Sequence, residues 1–298
     1  MLDCHGLKND ELGDVGTLAS DHEPALWSRT MNIRILPVRR PRLSRHLPVL
    51  AILLIAFLPA DDSQGGTEGT PDLRERTVLV TGANRGIGLE LARQYSAAGW
   101  RVIGTARQPG SAEALRATGA VVMQLDVTDQ ASVERLAEAL GEQPIDVLIN
   151  NAGIQPLMWT LADIDIDAFE RALDVNTLGP VRVTRALLPN LYAGKLRRII
   201  NVTTNLASIA GNTDGGFHGY RESKAALNMF TRSLAAELGP DGFICIALHP
   251  GWVRTDLGGP EAPLDAHESV TGMRRVIDNL QPDDNGTFRT YAGEEMAW

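Results

Sequence analysis

Cysteine is scarce: 298 residues hold two, Cys4 and Cys245, so no disulfide framework can be built. Cys245 lies in the apolar run Phe243-Ile244-Cys245-Ile246-Ala247-Leu248, where a thiol reads as buried and inert. No Cys/His spacing resembles a zinc site, and the single pair Cys4-His5 is too few ligands for a tetrahedral one. We therefore expect no metal. Basic excess is also missing. A net charge of −9 leaves nothing to neutralise phosphates along a strand, which excludes a general nucleic-acid binder. Long apolar runs are lacking too. The longest covers residues 47–60, and fourteen residues as a helix rise about 21 Å, short of a ~30 Å hydrocarbon core. No internal repeat is visible.

What is present divides near residues 61–76. Asp61 to Pro71 is polar and Gly-rich, which is linker composition. Before it come Arg34, Arg39, Arg40, Arg42 and Arg45 with no acid among them, then the apolar run, then small residues. Read from Met31, that is the layout of a secretory signal peptide. Arg39-Arg40 hints at twin-arginine export, though Pro41-Arg42 matches poorly. Two destinations stay open. The chain is cytoplasmic if the leader is spurious, and exported or membrane-anchored if residues 31–60 act as a signal, with membrane contact through residues 47–60. Residues 1–30 show no periodicity.

From Thr77 the pattern becomes an alternation of short apolar strands (77–81, 101–105, 121–125, 145–149, 198–202 and 243–248) with helical stretches (among them 86–98, 130–140, 168–191 and 220–238). Strands without polar alternation, separated by helices, predict a parallel sheet covered on both faces. The expected fold class is α/β: one doubly wound Rossmann-type domain with a mostly parallel sheet over residues 77–298, behind a non-globular leader over residues 1–76. Ligands of such folds bind beyond the carboxyl ends of the strands.

The first strand runs into Thr81-Gly82-Ala83-Asn84-Arg85-Gly86-Ile87-Gly88, and a helix follows. Glycines there allow a tight turn, close backbone approach to a pyrophosphate and tight helix–strand packing. The helix N-terminus offers free N–H groups to the phosphates. Further along stand Asp126-Val127, Asn150-Asn151-Ala152-Gly153, Asn176, Tyr220-Arg221-Glu222-Ser223-Lys224 and Pro250-Gly251-Trp252-Val253-Arg254-Thr255. In this order they resemble the short-chain dehydrogenase/reductase family. The ending, Gly286 to Trp298, looks like the sniffer and C-factor branch of its carbonyl-reductase-like members. The resemblance covers residues 77–298. It implies a cofactor held by Gly82, Asn84, Arg85, Gly86, Ile87, Gly88, Arg107, Asp126, Val127, Asn151, Ala152, Gly153, Tyr220, Lys224, Pro250, Gly251, Val253 and Thr255.

The chemistry gives the Tyr/Lys pair a reason. Hydride transfer to a carbonyl leaves an alkoxide, so an acid must stand beside the oxygen. Tyr220 and Lys224, spaced i,i+4, share a helix face, and a neighbouring ammonium is expected to lower the phenol's pKa. The family assigns acid/base work to this Tyr, with the Lys also holding the nicotinamide ribose. The family's carbonyl-holding Ser-Ser pair is here Thr203-Thr204, with Thr204 in the catalytic place and Ser208 as a substitute. By resemblance Asn176 holds a water linking Lys224 to solvent. His218 and His249 are left without a role.

The second strand ends Gly104-Thr105-Ala106-Arg107, with no acid at the corner where NAD-preferring relatives place one. Arg107, with Arg85 from the glycine turn, can instead meet a 2′-phosphate, so NADP(H) is the expected cofactor. The reading is an NADP(H)-dependent oxidoreductase acting on a small-molecule carbonyl or alcohol. Loops 154–161 and 258–269, with Pro156, Leu157, Met158, Trp159 and Leu264, suggest a hydrophobic one. Two rivals are an NADP(H)-binding sensor with little turnover and a surface-anchored protein that works through its leader. A homo-oligomer is also open, since relatives range from monomers to tetramers.

Overall fold

The computed structural model describes residues 76–298. The readings made on the leader, its apolar run 47–60 and Cys4 fall outside the described residues.

Seven strands form one parallel sheet: β1 Thr77–Val80, β2 Arg101–Ala106, β3 Val121–Gln124, β4 Val147–Asn150, β5 Arg198–Val202, β6 Ile244–His249 and β7 Phe288–Thr290. Their spatial order is β3-β2-β1-β4-β5-β6-β7. From β1 the chain first builds outward through β2 and β3, then returns to the other side and builds through β4 to β7. Connections therefore leave β1 and β4 in opposite directions, and a crevice opens at their carboxyl ends.

Helices cover both faces: α1 Gly86–Ala97, α2 Glu113–Arg116, α3 Gln130–Leu140, α4 Ile166–Leu173, α5 Gly179–Ala186, α6 Leu188–Ala193, α7 Tyr220–Leu238 and α8 Ala266–Asp278. Every residue of β1 and β4 is buried, which is why these strands lack polar alternation. Their side chains nevertheless alternate between two cores. Val78, Val80 and Ile246 pack with Leu91, Tyr95 and Met273 of α1 and α8. Leu79, Leu148 and Cys245 face the other way, onto Val133, Val183 and Leu234 of α3, α5 and α7. Leu148 is fully buried, and its truncation to alanine would cost about 2–5 kcal/mol. Burial pushes the Cys245 thiol up to about 12, so it is a packing group.

The six expected strands and the helix at 220–238 are present. The stretch 168–191, expected as one helix, is three: α4 passes through a π-helical turn, Asp174–Leu178, into α5, and α6 begins afresh at Leu188. Pro180 and Pro189 sit in the first turns of α5 and α6, where a missing N–H costs nothing. Strand β7 and helices α2 and α8 add to the expected set.

Candidate active site

The glycine turn between β1 and α1 is dictated by backbone geometry. Gly82 and Gly86 have φ of 64° and 55°, a region that L side chains rarely adopt. At Gly88 a β-carbon would run into the Gly82 carbonyl and come within 2.6 Å of Asn151 Nδ2. Asn151 closes the turn from β4, donating from Nδ2 to the carbonyls of Thr81 and Gly82 at 2.9 and 3.2 Å. The Thr81 hydroxyl in turn accepts the main-chain N–H groups of Asn151 and Ala152 at 2.9 and 3.0 Å. The result is a bare backbone cradle at the N-terminus of α1, suited to a pyrophosphate.

The cradle opens into a cleft of about 810 Å³ beyond the carboxyl ends of the strands. Gly82, Asn84, Arg85, Gly86, Ile87, Gly88, Arg107, Asp126, Val127, Asn151, Ala152, Gly153, Tyr220, Lys224, Pro250 and Thr255 all line it. Gly251 and Val253 do not. They shape the loop behind Pro250, Gly251 at φ 83° against Leu264 and Tyr291, and Val253 bridged to Leu264. At one end of the cleft Asp126 is held below the usual carboxylate range by the hydroxyl and N–H of Thr128, with Arg107 and Arg171 adding positive charge. Arg85 is exposed and pairs across the mouth with Asp256 at 2.7 Å. A deep glycine cradle with cations at its rim fits a phosphorylated dinucleotide.

At the other end the fold joins the tip of β5 to the first turns of α7. The Thr204 side chain stands beside the buried Tyr220 hydroxyl, its own hydroxyl donating to Asn205 Oδ1 at 3.2 Å; burial pushes the phenol up to about 12, with Thr204 pulling the other way. Lys224 is buried one turn on, and its Nζ donates to the Val202 carbonyl at 2.8 Å. Burial lowers it to about 8. The expectation that the ammonium lowers the phenol's pKa is therefore not met: desolvation sets the direction, and Lys224 is directed to Val202. Val202 and Thr203 also line the cleft, and the Thr203 hydroxyl donates to Asn228 Oδ1 at 2.9 Å. Tyr220, Lys224 and Asn228 thus form one polar face of α7, docked on the end of β5.

Asn176 lies in the π-helical turn, fully buried. Its Oδ1 accepts from Ile154 N, and its Nδ2 donates to Ile154 O and Ser223 Oγ, each at 2.9 Å. A β-carbon on Gly153 would sit 3.1 Å from that Oδ1 and 3.5 Å from Lys224 Nζ, so Gly153 lets the two groups approach the cleft floor. Ser208 points elsewhere: its hydroxyl donates to the Trp298 carbonyl at 3.3 Å and accepts from Gly211 N. His218 faces Glu222 at 3.3 Å. His249 ends β6, and burial lowers it to about 4, so its imidazole is neutral.

Sequence reasoning missed Arg171, Val202, Asp256 and Leu257, all of which line the cleft, and named Thr203 only as the partner of Thr204. Asp256 directly follows the recognised Thr255, and Val202-Thr203 directly precede Thr204, so those signals were adjacent. Nothing local marks Arg171, which reaches the cleft from the last turn of α4.

Comparison with known proteins agrees with this geometry. Residues 76–263 match the short chain dehydrogenase family. C-signal of Myxococcus xanthus is 54% identical over 155 residues, 52% of this chain and 93% of that protein. The carbonyl reductase Sniffer of D. melanogaster superposes with a TM-score of 0.70 at 33% identity, covering 75% of this chain and 99% of that one. An NADPH-bound carbonyl reductase from chicken fatty liver gives 0.70 at 35% identity, with the same coverage. The chain belongs to the short-chain dehydrogenase/reductase family, within its sniffer and C-factor branch.

Proposed function

We propose that this chain reduces the carbonyl of a hydrophobic small molecule to an alcohol, with Tyr220 as the proton donor. The observation that carries the reading is that Tyr220 and Lys224, one turn apart on α7, both line a dinucleotide-sized cleft, with Thr204 beside the phenol. When bound, NADPH supplies the hydride. Held by burial in its neutral form, Tyr220 is a competent acid at neutral pH, since an alkoxide is far more basic than a phenolate. Thr204 contributes a hydroxyl beside the phenol, able to hold the carbonyl oxygen while charge develops on it. Protonated Lys224 supplies positive charge behind Tyr220 as its proton leaves. Asn176 ties α4 to the 154 loop and lies on the same side as Lys224, where a water could join the two. The exposed Leu157 and Trp159 on the 154–161 loop, with exposed Trp252 shortly after β6, favour an apolar substrate.

A second reading, an NADP(H)-binding signalling protein with little turnover, draws on the 54% identity to C-signal. An NADPH-oxidation screen with aldehydes, ketones and quinones, on protein beginning at residue 71, separates the two. Turnover of an apolar carbonyl supports the reductase, and cofactor binding without turnover supports the alternative. Export or anchoring through residues 31–60 is proposed separately, and terminal sequencing of the native protein decides it.

A further inference from the structure

Beside Tyr220 on α7 stands Arg221, a residue that motif reasoning leaves as spacing between Tyr220 and Lys224. Its guanidinium crosses the base of the loop between β5 and α7. Nη1 donates to the Leu206 carbonyl at 3.2 Å, and Nε donates to the Gly216 carbonyl at 3.0 Å. The two bonds tie the start of the loop to its end. The plane of a guanidinium presents such donors in a fixed fork, which an ammonium cannot reproduce.

Both ends matter to the chemistry. Leu206 is held at its other end by Thr204, whose Oγ1 accepts the Leu206 N–H at 3.2 Å and caps the short turn Asn205–Ala207. One residue, Leu206, thus connects Arg221 at its carbonyl to Thr204 at its N–H, and the Thr204 hydroxyl stands beside Tyr220. At the far end, Gly215, Gly216 and Gly219 have positive φ, and so does Phe217 at 54°, where a side chain is strained. A strained residue at the entrance to the helix that begins with Tyr220 needs to be held by its surroundings. Phe217 is held by the Trp159 ring, 4.2 Å away, and by the Arg221 guanidinium, 5.9 Å from its ring centre. The middle of the loop is fastened by the Trp298 carbonyl, which accepts from Ala210 N and Ser208 Oγ. Residues 209–215 are otherwise exposed.

We propose that Arg221 is a positioning residue, which joins the two ends of the 205–217 loop and thereby sets the Thr204 hydroxyl against Tyr220. The proposal rests on the reading that Thr204 and Tyr220 act on the substrate carbonyl. Arg221 does not line the cleft. Its removal should lower kcat and leave cofactor binding alone, since misplacement by about 1 Å can cost up to ~100-fold.

The test uses the full chain and three proteins: wild type, Tyr220→Phe and Arg221→Ala, with Arg221→Lys in reserve should alanine impair folding. NADPH affinity is read by fluorescence titration, turnover by NADPH oxidation, and loop order by amide hydrogen exchange over residues 205–217. For Arg221→Ala we expect kcat down by roughly 10–100-fold, unchanged NADPH affinity, faster exchange across the loop, and partial recovery of kcat with added guanidinium ion. A merely structural role would move thermal stability and cofactor affinity together and would show no such recovery. Wild-type kcat in Arg221→Ala, alongside a dead Tyr220→Phe, overturns the proposal and spares the reductase reading. A wild type without turnover removes the reductase reading and the proposal with it, and loop exchange unchanged by Arg221→Ala overturns the clamp by itself.

Discussion

Lys224 Nζ donates to the Val202 carbonyl at 2.8 Å, while Tyr220, one turn earlier on the same face of α7, stands beside Thr204. The cation is thus oriented by the tip of β5, and the helical i,i+4 step sets its spacing from the acid. Val202 and Thr203 line the cleft beside them, although Val202 suggests no chemistry in the sequence.

The buried lysine gives the reaction a pH limit. Burial lowers Lys224 to about 8, so its ammonium form persists at neutral pH and is lost as pH rises through that value. Without the charge, the phenolate left behind by proton donation is less stabilised. Reductive kcat should hold steady below neutrality and fall above about pH 8, and Lys224→Arg should push that fall to higher pH. The measurement is a pH–rate profile at saturating NADPH. A rate that stays flat to pH ~10, the ordinary range of a lysine, would contradict this role.

Cofactor choice rests on Arg107 and Arg85. A guanidinium and a 2′-phosphate at ~4 Å interact by about 4 kcal/mol at an effective dielectric near 20, before desolvation. A preference for NADPH over NADH of at least ~10-fold needs only about 1.4 kcal/mol of that. Arg107→Asp should erase or reverse the preference in kcat/KM. Equal values for the two cofactors in the wild type would show that the arginines do not read the phosphate.

The glycine cradle leaves little room for substitution. Gly88→Ala puts a methyl against the Gly82 carbonyl and Asn151, both backbone-tethered, so the turn must distort. NADPH affinity should fall by at least ~10-fold, about 1.4 kcal/mol, and thermal stability should drop with it. Calorimetric titration and a melting curve read both. Wild-type affinity in this variant would mean that the cradle does not contact the cofactor.

Two hydroxyls were open to the carbonyl-holding role, and their partners separate them. Thr204 stands beside Tyr220, whereas Ser208 bonds Trp298 and Gly211 N. Thr204→Val should lower kcat by roughly 10²–10³, the usual loss of one donor to a developing oxyanion. Ser208→Ala should change kcat far less. The reverse ranking in steady-state assays would reassign the role to Ser208.

How far the sequence foretold this depends on whether a signal was local. Strands β1, β4 and β6 were legible because burial on both faces demands unbroken apolar runs, as in Val78-Leu79-Val80. Strand β7 was not, because Phe288-Arg289-Thr290 buries only the phenylalanine and is a strand by virtue of pairing with β6. Helix α8 did carry a readable pattern: Asp265 caps it, Glu268 follows in the first turn, and Val270, Met273 and Ile277 fall on its buried face. The breaks in 168–191 were marked by Pro180 and Pro189. The glycine turn, Tyr220 and Lys224 were found because their spacing is itself the chemistry. Arg171 and Arg221 could not be, since each acts across a gap that only the folded chain closes.

The central claim is that Tyr220 gives the proton to a substrate carbonyl. Tyr220→Phe keeps the ring and removes only the hydroxyl, so the cleft and its cofactor contacts survive. The decisive measurement is NADPH oxidation by this variant on a carbonyl that the wild type reduces, with NADPH affinity measured on the same preparation. We predict unchanged affinity and a kcat lower by roughly 10²–10⁴, the range of general acid catalysis. Turnover within a few-fold of the wild type would contradict the account and remove Tyr220 from the reaction.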